Sequence, residues 1–159
     1  MGLEIERKFL VTNNHYKSEK LIDKIEITQG YITLDKEKVI RIRIADDQAY
    51  LTLKGLATEV TRHEFEYNIP VDEAREMLKI FCYQPIIKKT RYLIEYKDHI
   101  WEIDEFHNEN DGLEIAEIEL DSEDENFSKP AFIGNEVTTD RRYYNFNLVV
   151  NPYQDWKKN

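Results

Sequence analysis

Charge recurs at every second position through much of this 159-residue chain. The pattern begins at once, in Leu3, Glu4, Ile5, Glu6, Arg7, Lys8, Phe9, Leu10 and Val11. Successive side chains of a β-strand point to opposite faces. Glu4, Glu6 and Lys8 therefore share one face, and Leu3, Ile5 and Phe9 supply most of the other. In Val39–Ile44 the isoleucines at 40, 42 and 44 form an apolar face, and Arg41 and Arg43 lie together opposite. Leu51 and Leu53 face a core while Lys54 joins the polar side. Glu64 and Glu66 share a face, as do Lys89 and Arg91, which oppose Thr90, Tyr92 and Ile94. Trp101 and Ile103 flank Glu102 and Asp104, and Glu117 and Glu119 alternate with Ala116, Ile118 and Leu120.

A single pair of like charges two residues apart fits a solvated outer face, and cross-strand Glu–Arg pairs stabilise ordinary sheets. Strand after strand showing the device, with the sign of charge sorted by strand, describes something else: a sheet whose second face lines a polar chamber. Lys8, Arg41, Arg43, Lys54, Lys89 and Arg91 suit a row of phosphates, Arg giving a bidentate grip and Lys a compact charge. The carboxylates Glu4, Glu6, Glu64, Glu66, Asp104, Glu117 and Glu119 suit hard divalent cations such as Mg²⁺ or Mn²⁺. The five glycines form neither a P-loop nor a dinucleotide fingerprint. Phosphate binding must then rest on side chains.

Composition narrows the classes. The net charge is -10, which argues against nonspecific nucleic-acid binding by the surface field but leaves room for a local cationic pocket. With one cysteine, Cys82, there is no intramolecular disulfide and no thiolate metal cluster. His15, His63, His99 and His107 lack zinc-site spacing. No apolar run approaches membrane-spanning length and no signal-peptide pattern opens the chain, so the expectation is a cytoplasmic protein without membrane partners.

The chain reads as one domain over residues 1–159, of α+β class and mainly antiparallel β. Strands are predicted at 3–11, 26–34, 38–46, 48–54, 61–69, 87–96, 99–106 and 113–120. Asp46-Asp47-Gln48 and Lys97-Asp98 read as tight hairpins. Helices are predicted at 15–24 and 71–82, the second capped by Asp72 with Ala74, Met77, Leu78 and Phe81 on its buried stripe. Residues 121–126 read as a loop entering a short helix. Trp101, Tyr50 and Phe65 are assigned to core or chamber wall, Cys82 to a buried helix position, and His63 and His99 to the surface or strand ends. Eight antiparallel strands in so short a chain favour a closed barrel, because closure removes exposed edges.

The opening Glu4-Ile5-Glu6-Arg7-Lys8-Phe9 resembles the ExExK signature of the CYTH superfamily, the triphosphate tunnel metalloenzymes. The resemblance continues through Gln29-Gly30-Tyr31, Arg41-Ile42-Arg43, Thr52-Leu53-Lys54-Gly55 and Glu64-Phe65-Glu66. It runs on through Lys89-Thr90-Arg91-Tyr92, Trp101-Glu102-Ile103-Asp104, Asp111-Gly112-Leu113 and Ala116-Glu117-Ile118-Glu119, and ends at Glu136-Val137-Thr138, Asp140–Asn145 and Leu148. It covers nearly the whole chain and is nearest to the short bacterial single-domain members. It implies an eight-stranded closed tunnel that hydrolyses a triphosphate, most readily inorganic tripolyphosphate, with Mg²⁺ or Mn²⁺. It assigns phosphate contacts to Lys8, Arg41, Arg43, Lys54, Lys89 and Arg91, metal binding to Glu4, Glu6, Asp104, Glu117 and Glu119, and catalysis to Glu4, Glu6 and Lys8. Tyr31, Glu64, Glu66 and Arg142 support the site, and the segment around Arg142, Tyr143 and Tyr144 plugs one end. Class IV adenylyl cyclase, nucleoside or thiamine triphosphatase and a non-catalytic polyphosphate-binding module remain alternatives. A barrel side rich in Tyr and Ile leaves room for a homodimer.

Overall fold

The computed structural model describes residues 2–156. Nine strands are present: β1 (Leu3–Val11), β2 (Leu21–Tyr31), β3 (Val39–Ala45), β4 (Gln48–Leu56), β5 (Thr61–Ile69), β6 (Ile87–Tyr96), β7 (His99–Phe106), β8 (Glu114–Leu120) and β9 (Ile133–Glu136). Around the wall the order is β1-β8-β7-β6-β2-β3-β4-β5, and β5 returns to β1 through Leu3↔His63 and Ile5↔Thr61. Eight antiparallel strands thus close into a barrel. The short β9 lies alongside the second half of β1, with Phe9 opposite Glu136. Both predicted tight hairpins form. Asp46 turns at φ 53°, and Lys97 and Asp98 at 45° and 71°, the left-handed pair that a two-residue hairpin needs.

The alternation seen in the sequence makes this an inside-out barrel. Charged faces point inward, so the apolar faces point outward and must be covered. Phe9, Trp101, Ile103, Ala116 and Ile118 form one outer layer, sealed by Tyr16 and by Phe127 and Phe132 of the segment after β8. The helix α1 (Val71–Ile80) covers β2, β3 and β4, laying Ala74 and Leu78 over Ile42 and Ala49. Gly30 of β2 allows that approach: a Cβ there would stand 2.8 Å from Cys82 Cβ and 3.0 Å from Leu78 Cδ2. The helices α2 (Asn145–Val150) and α3 (Tyr153–Trp156) follow a turn at Arg141–Tyr143. This segment stops one end of the barrel, where Tyr143, Tyr144, Phe146 and Leu148 pack with Tyr31, Ile87, Phe106 and Ile115. No helix among the described residues is long and apolar enough to cross a membrane.

Several local expectations are corrected. The 15–24 segment is a single 3-10 turn, His15–Ser18, and β2 starts at Leu21, not at 26. Pairing of Leu21–Gln29 with β6 overrides whatever helical period the stretch carries. Asp72 does not cap α1: Pro70 is the N-cap, so Asp72 falls inside the first turn and its Oδ1 accepts from Glu73 N. A carboxylate there still complements the helix dipole. α1 stops at Ile80, leaving Phe81 62% exposed and Cys82 buried just beyond the helix. Residues 121–126 form turns and no helix. Phe65, expected in core or wall, is 50% exposed, because its strand turns Glu64 and Glu66 inward. Leu53 on neighbouring β4, expected to face a core, lies on the outward face beside Lys54 and is 40% exposed.

Gly30→Ala should destabilise the fold by about 1–3 kcal/mol, since the added methyl meets the α1 turn. Denaturant titration should show a lower midpoint with an unchanged slope.

Candidate active site

The barrel encloses a cavity of about 430 Å³. Each strand delivers its inward residues: Glu4, Glu6 and Lys8 from β1, Arg41 and Arg43 from β3, Tyr50 and Lys54 from β4, and Arg62, Glu64 and Glu66 from β5. Lys89 and Arg91 come from β6, Glu102 from β7, and Glu117 and Glu119 from β8. Tyr31 of β2 and Thr138, Tyr144, Asn145 and Phe146 of the C-terminal segment also line it.

Register explains the distribution of charge. On β1, Glu6 stands opposite Glu119 and Lys8 opposite Glu117, while Glu102 faces Glu117 across the next pairing. Carboxylates are therefore crowded on the β1–β8–β7 side. Glu6 feels the consequence: burial first, then the charges of Glu117 and Glu4, push its carboxyl well above the usual range, and it shares a hydrogen bond with Glu117. Glu117 stays ionised. Against burial, Lys8 beside it, with Arg91 and Lys89, holds it well below the usual range. Burial and the neighbouring Glu4, Glu102 and Glu64 raise Glu119 as well. Lys54 offsets part of this charge, with its Nζ 2.8 Å from Glu4 Oε1 and 3.3 Å from Glu64 Oε2.

The opposite side carries the cations. Burial and the adjacent Arg41 and Arg91 lower Arg43 to about 10. Arg41 donates to Thr52 Oγ1 at 3.2 Å and reaches Glu66 at 3.5 Å, but its Nε is buried with no hydrogen-bond partner among the described residues. Lys8 has a long bond of 3.4 Å to the Tyr143 carbonyl and the Tyr144 ring at 5.4 Å. Such under-satisfied, buried donors are what an anion would find.

Asp104, expected among the metal ligands, is placed by the structure behind the cation wall. It is fully buried and absent from the chamber surface. Arg91 donates to Oδ1 at 2.8 Å and to Oδ2 at 2.9 Å, and Lys89 Nζ lies 2.7 Å from Oδ2. Both oxygens are occupied, so Asp104 anchors two cations from behind. Arg142 is also displaced from its expected place. Its guanidinium pairs with Asp140 and stacks over Tyr143 and Trp156 on the outside, while Tyr144, Asn145 and Phe146 form the plug.

A family match to the CYTH domain spans residues 2–147. The chain belongs to the CYTH family. An inorganic triphosphatase from Acetivibrio thermocellus is 51% identical to this CYTH protein over 99% of the chain and all of the relative. One from Nitrosomonas europaea is 33% identical over 92% of the chain and 97% of its own length. The crystal structure of an inorganic triphosphatase superposes with a TM-score of 0.66 at 33% identity, covering 92% of this chain and 94% of that one.

The CYTH chamber also contains residues that the period-two reading did not assign to the site. Glu102 accepts from Arg91 Nη1 at 2.9 Å, and it shares the alternation that singled out Asp104. Arg62 stands opposite Glu4 and over the Tyr144 ring at 5.3 Å; it lies two positions before Glu64 and shares the inward face of Glu64 and Glu66, an alternation that could have found it. Asn145 is uncharged and carries no such signal, and neither does Gln29, which is fully buried behind the chamber surface.

Asp104→Asn in the CYTH barrel should lower the melting temperature sharply, because removing one partner of a buried ion network costs about 3–5 kcal/mol. Lys89 and Arg91 hold Asp104 at about 2 against the opposing effect of burial. Its stabilisation is thus complete above the unfolded value of about 3.9 and is lost as pH falls towards 2. Thermal melts across this acid range should show a shallower pH dependence in the Asn variant. Glu119→Gln, which relieves crowding with Glu4, Glu102 and Glu64, should leave the melting temperature unchanged or raise it in metal-free buffer.

Proposed function

We propose that this CYTH protein hydrolyses inorganic tripolyphosphate to pyrophosphate and phosphate inside the barrel, with Mg²⁺ or Mn²⁺ as cofactor. The observation that carries this reading is the division of one closed cavity into a cation wall with unsatisfied donors and a wall of crowded carboxylates. A linear polyanion matches the first and a divalent cation the second. The two relatives named as inorganic triphosphatases support the same choice of substrate.

The fit to a metal rests on donor chemistry. Glu4, Glu6, Glu117 and Glu119 offer only hard carboxylate oxygens, and Glu6 and Glu117 are close enough to share a hydrogen bond. Like charges so placed repel unless a proton or a cation lies between them. Among the described residues they are not yet gathered as a coordinating cluster; Glu4 leans instead to Lys54. These four residues would hold the ion. When bound, it would neutralise phosphate charge and increase the acidity of its water.

The remaining chemistry belongs to side chains. Arg41 and Arg43 point their guanidinium groups into the cavity from one strand and grip phosphate oxygens. Lys54 and Arg91 bind from the flanking walls, Arg91 held rigid by Asp104. Fixed in place before substrate arrives, they stabilise the charge that develops on the transferred phosphoryl group without reorganising. Lys8, with its long bond and open side, contacts the attacked phosphoryl group. Glu4 and Glu6 orient the attacking water, and a carboxylate oxygen of the pair takes its proton. The plug closes the chamber behind the phosphates.

Phosphate release from tripolyphosphate should vanish in excess EDTA and return with Mg²⁺ or Mn²⁺. Arg41→Ala and Arg43→Ala should each raise KM and lower kcat, with a combined loss of about a hundredfold in kcat/KM. The exposed Lys38→Ala should have no effect. Tripolyphosphate should be preferred over ATP and thiamine triphosphate at one metal concentration. Cyclic AMP as the main product from ATP would transfer the protein to the cyclase reading.

A further inference from the structure

We propose that Gln29 and Asn145 are positioning residues that set the geometry of the cation wall, making the C-terminal plug a working part of phosphate binding. The inference rests on the tripolyphosphate reading above and concerns how the wall is held.

The hydrogen bonds leave one consistent arrangement. Arg43 Nε donates to Gln29 Oε1 at 2.7 Å. The Gln29 amide nitrogen must then point the other way, where it donates to Tyr31 Oη at 3.0 Å and Asn145 Oδ1 at 2.9 Å. Asn145 Oδ1 also accepts from Lys89 Nζ at 2.8 Å. Both neighbours of that atom are donors, so it must be the amide oxygen. Lys89 in turn lies against Asp104, which grips Arg91. A continuous chain therefore runs from Arg43 through Gln29, Asn145, Lys89 and Asp104 to Arg91. It links β3, β2, the plug, β6 and β7.

The two amides do something that charged residues at the same positions would not. Gln29 is 0% exposed and Lys89 1%, so no bulk water can substitute for the missing partners. A carboxylate in either position could accept the same bonds, but it would neutralise a cation that the phosphates need. A neutral acceptor orients Arg43 and Lys89 and leaves their charge available. The plug does not need Asn145 for its own packing. Leu148, Phe146 and Tyr143 anchor it in the apolar cluster, with Leu148 fully buried and away from the chamber lining. The coupling thus runs from plug to wall.

The test compares Asn145→Ala, Asn145→Asp, Gln29→Leu and, as a control for plug stability, Leu148→Ala. Two readouts are used: kcat and KM for tripolyphosphate with Mg²⁺, and calorimetric binding of tripolyphosphate in EDTA, which needs no turnover. Asn145→Ala and Gln29→Leu should lower kcat and raise KM, with a loss of about tenfold or more in kcat/KM. Asn145→Asp, which keeps an acceptor but adds charge, should act mainly on KM and weaken binding in EDTA. Leu148→Ala should lower the melting temperature and leave the kinetics of the folded protein intact. Kinetics that follow the melting temperature alike in Asn145→Ala and Leu148→Ala would overturn the inference, as would tripolyphosphate binding in EDTA that is unchanged in both Asn145 variants. If the wild type binds tripolyphosphate but does not hydrolyse it, the proposed reaction fails. The binding comparison still decides the positioning role.

Discussion

Charge enclosed in a closed barrel must find partners within it, and Asp104 is where that requirement is met most completely. Lys89 and Arg91 are both nearly sealed from solvent, and burial lowers Lys89 to about 7 despite the attraction of Asp104. Without a buried anion behind them, two adjacent cations at this depth would be strongly destabilising, and Lys89 would give up its proton more readily. The rest of the site is arranged around this clamp. Arg91 also reaches Glu102 and Glu117, tying the cation wall to the carboxylate wall, and Lys89 reaches the plug through Asn145. A charged interior further dictates the exterior: the apolar faces must turn outward and be roofed by α1, by the Tyr16 turn and by the segment carrying Phe127 and Phe132.

The barrel was legible because its strands obey one rule, with apolar and charged residues at a period of two. The hairpin turns and the inward faces of β1, β3, β6 and β8 follow from it directly. What escaped the reading lacks that signal. The start of β2 at Leu21 depends on pairing with β6, a partner far along the chain. Phe81 fitted the stripe of α1 by spacing, but the helix stops one residue before it. Leu53, read as facing a core opposite Lys54, and Phe65, read as core or wall, lie on the outward face, and the alternation does not show that this part of the outer face is half exposed.

Within the site, the pattern identified which side chains face the chamber but not what each one touches. Asp104 and Glu117 lie on adjacent strands and look alike in sequence, yet one is saturated by Arg91 and Lys89 and the other lies open beside Glu6. The family resemblance placed Arg142 in the plug, but its own Asp140, two residues away, captures it outside. Gln29 and Asn145 are short of charge and long on geometry. Only coordinates show that their amides meet, across 116 positions of sequence.

The closure of β1 on two partners has a kinetic side. Leu3 pairs with His63, while Glu6 pairs with Glu119 and Phe9 with Glu136. The opening segment thus waits for strands distributed over most of the chain, and such remote pairing slows folding. Until β1 is inserted between β5 and β8, Glu4, Glu6 and Lys8 have no opposing wall, and the wrongly exposed edges of both neighbours stay open to other chains. The first signature in the sequence completes the site only when strands from both halves of the chain are in place, and a ligand that bridges the two walls would recognise only chains in which β1 is docked.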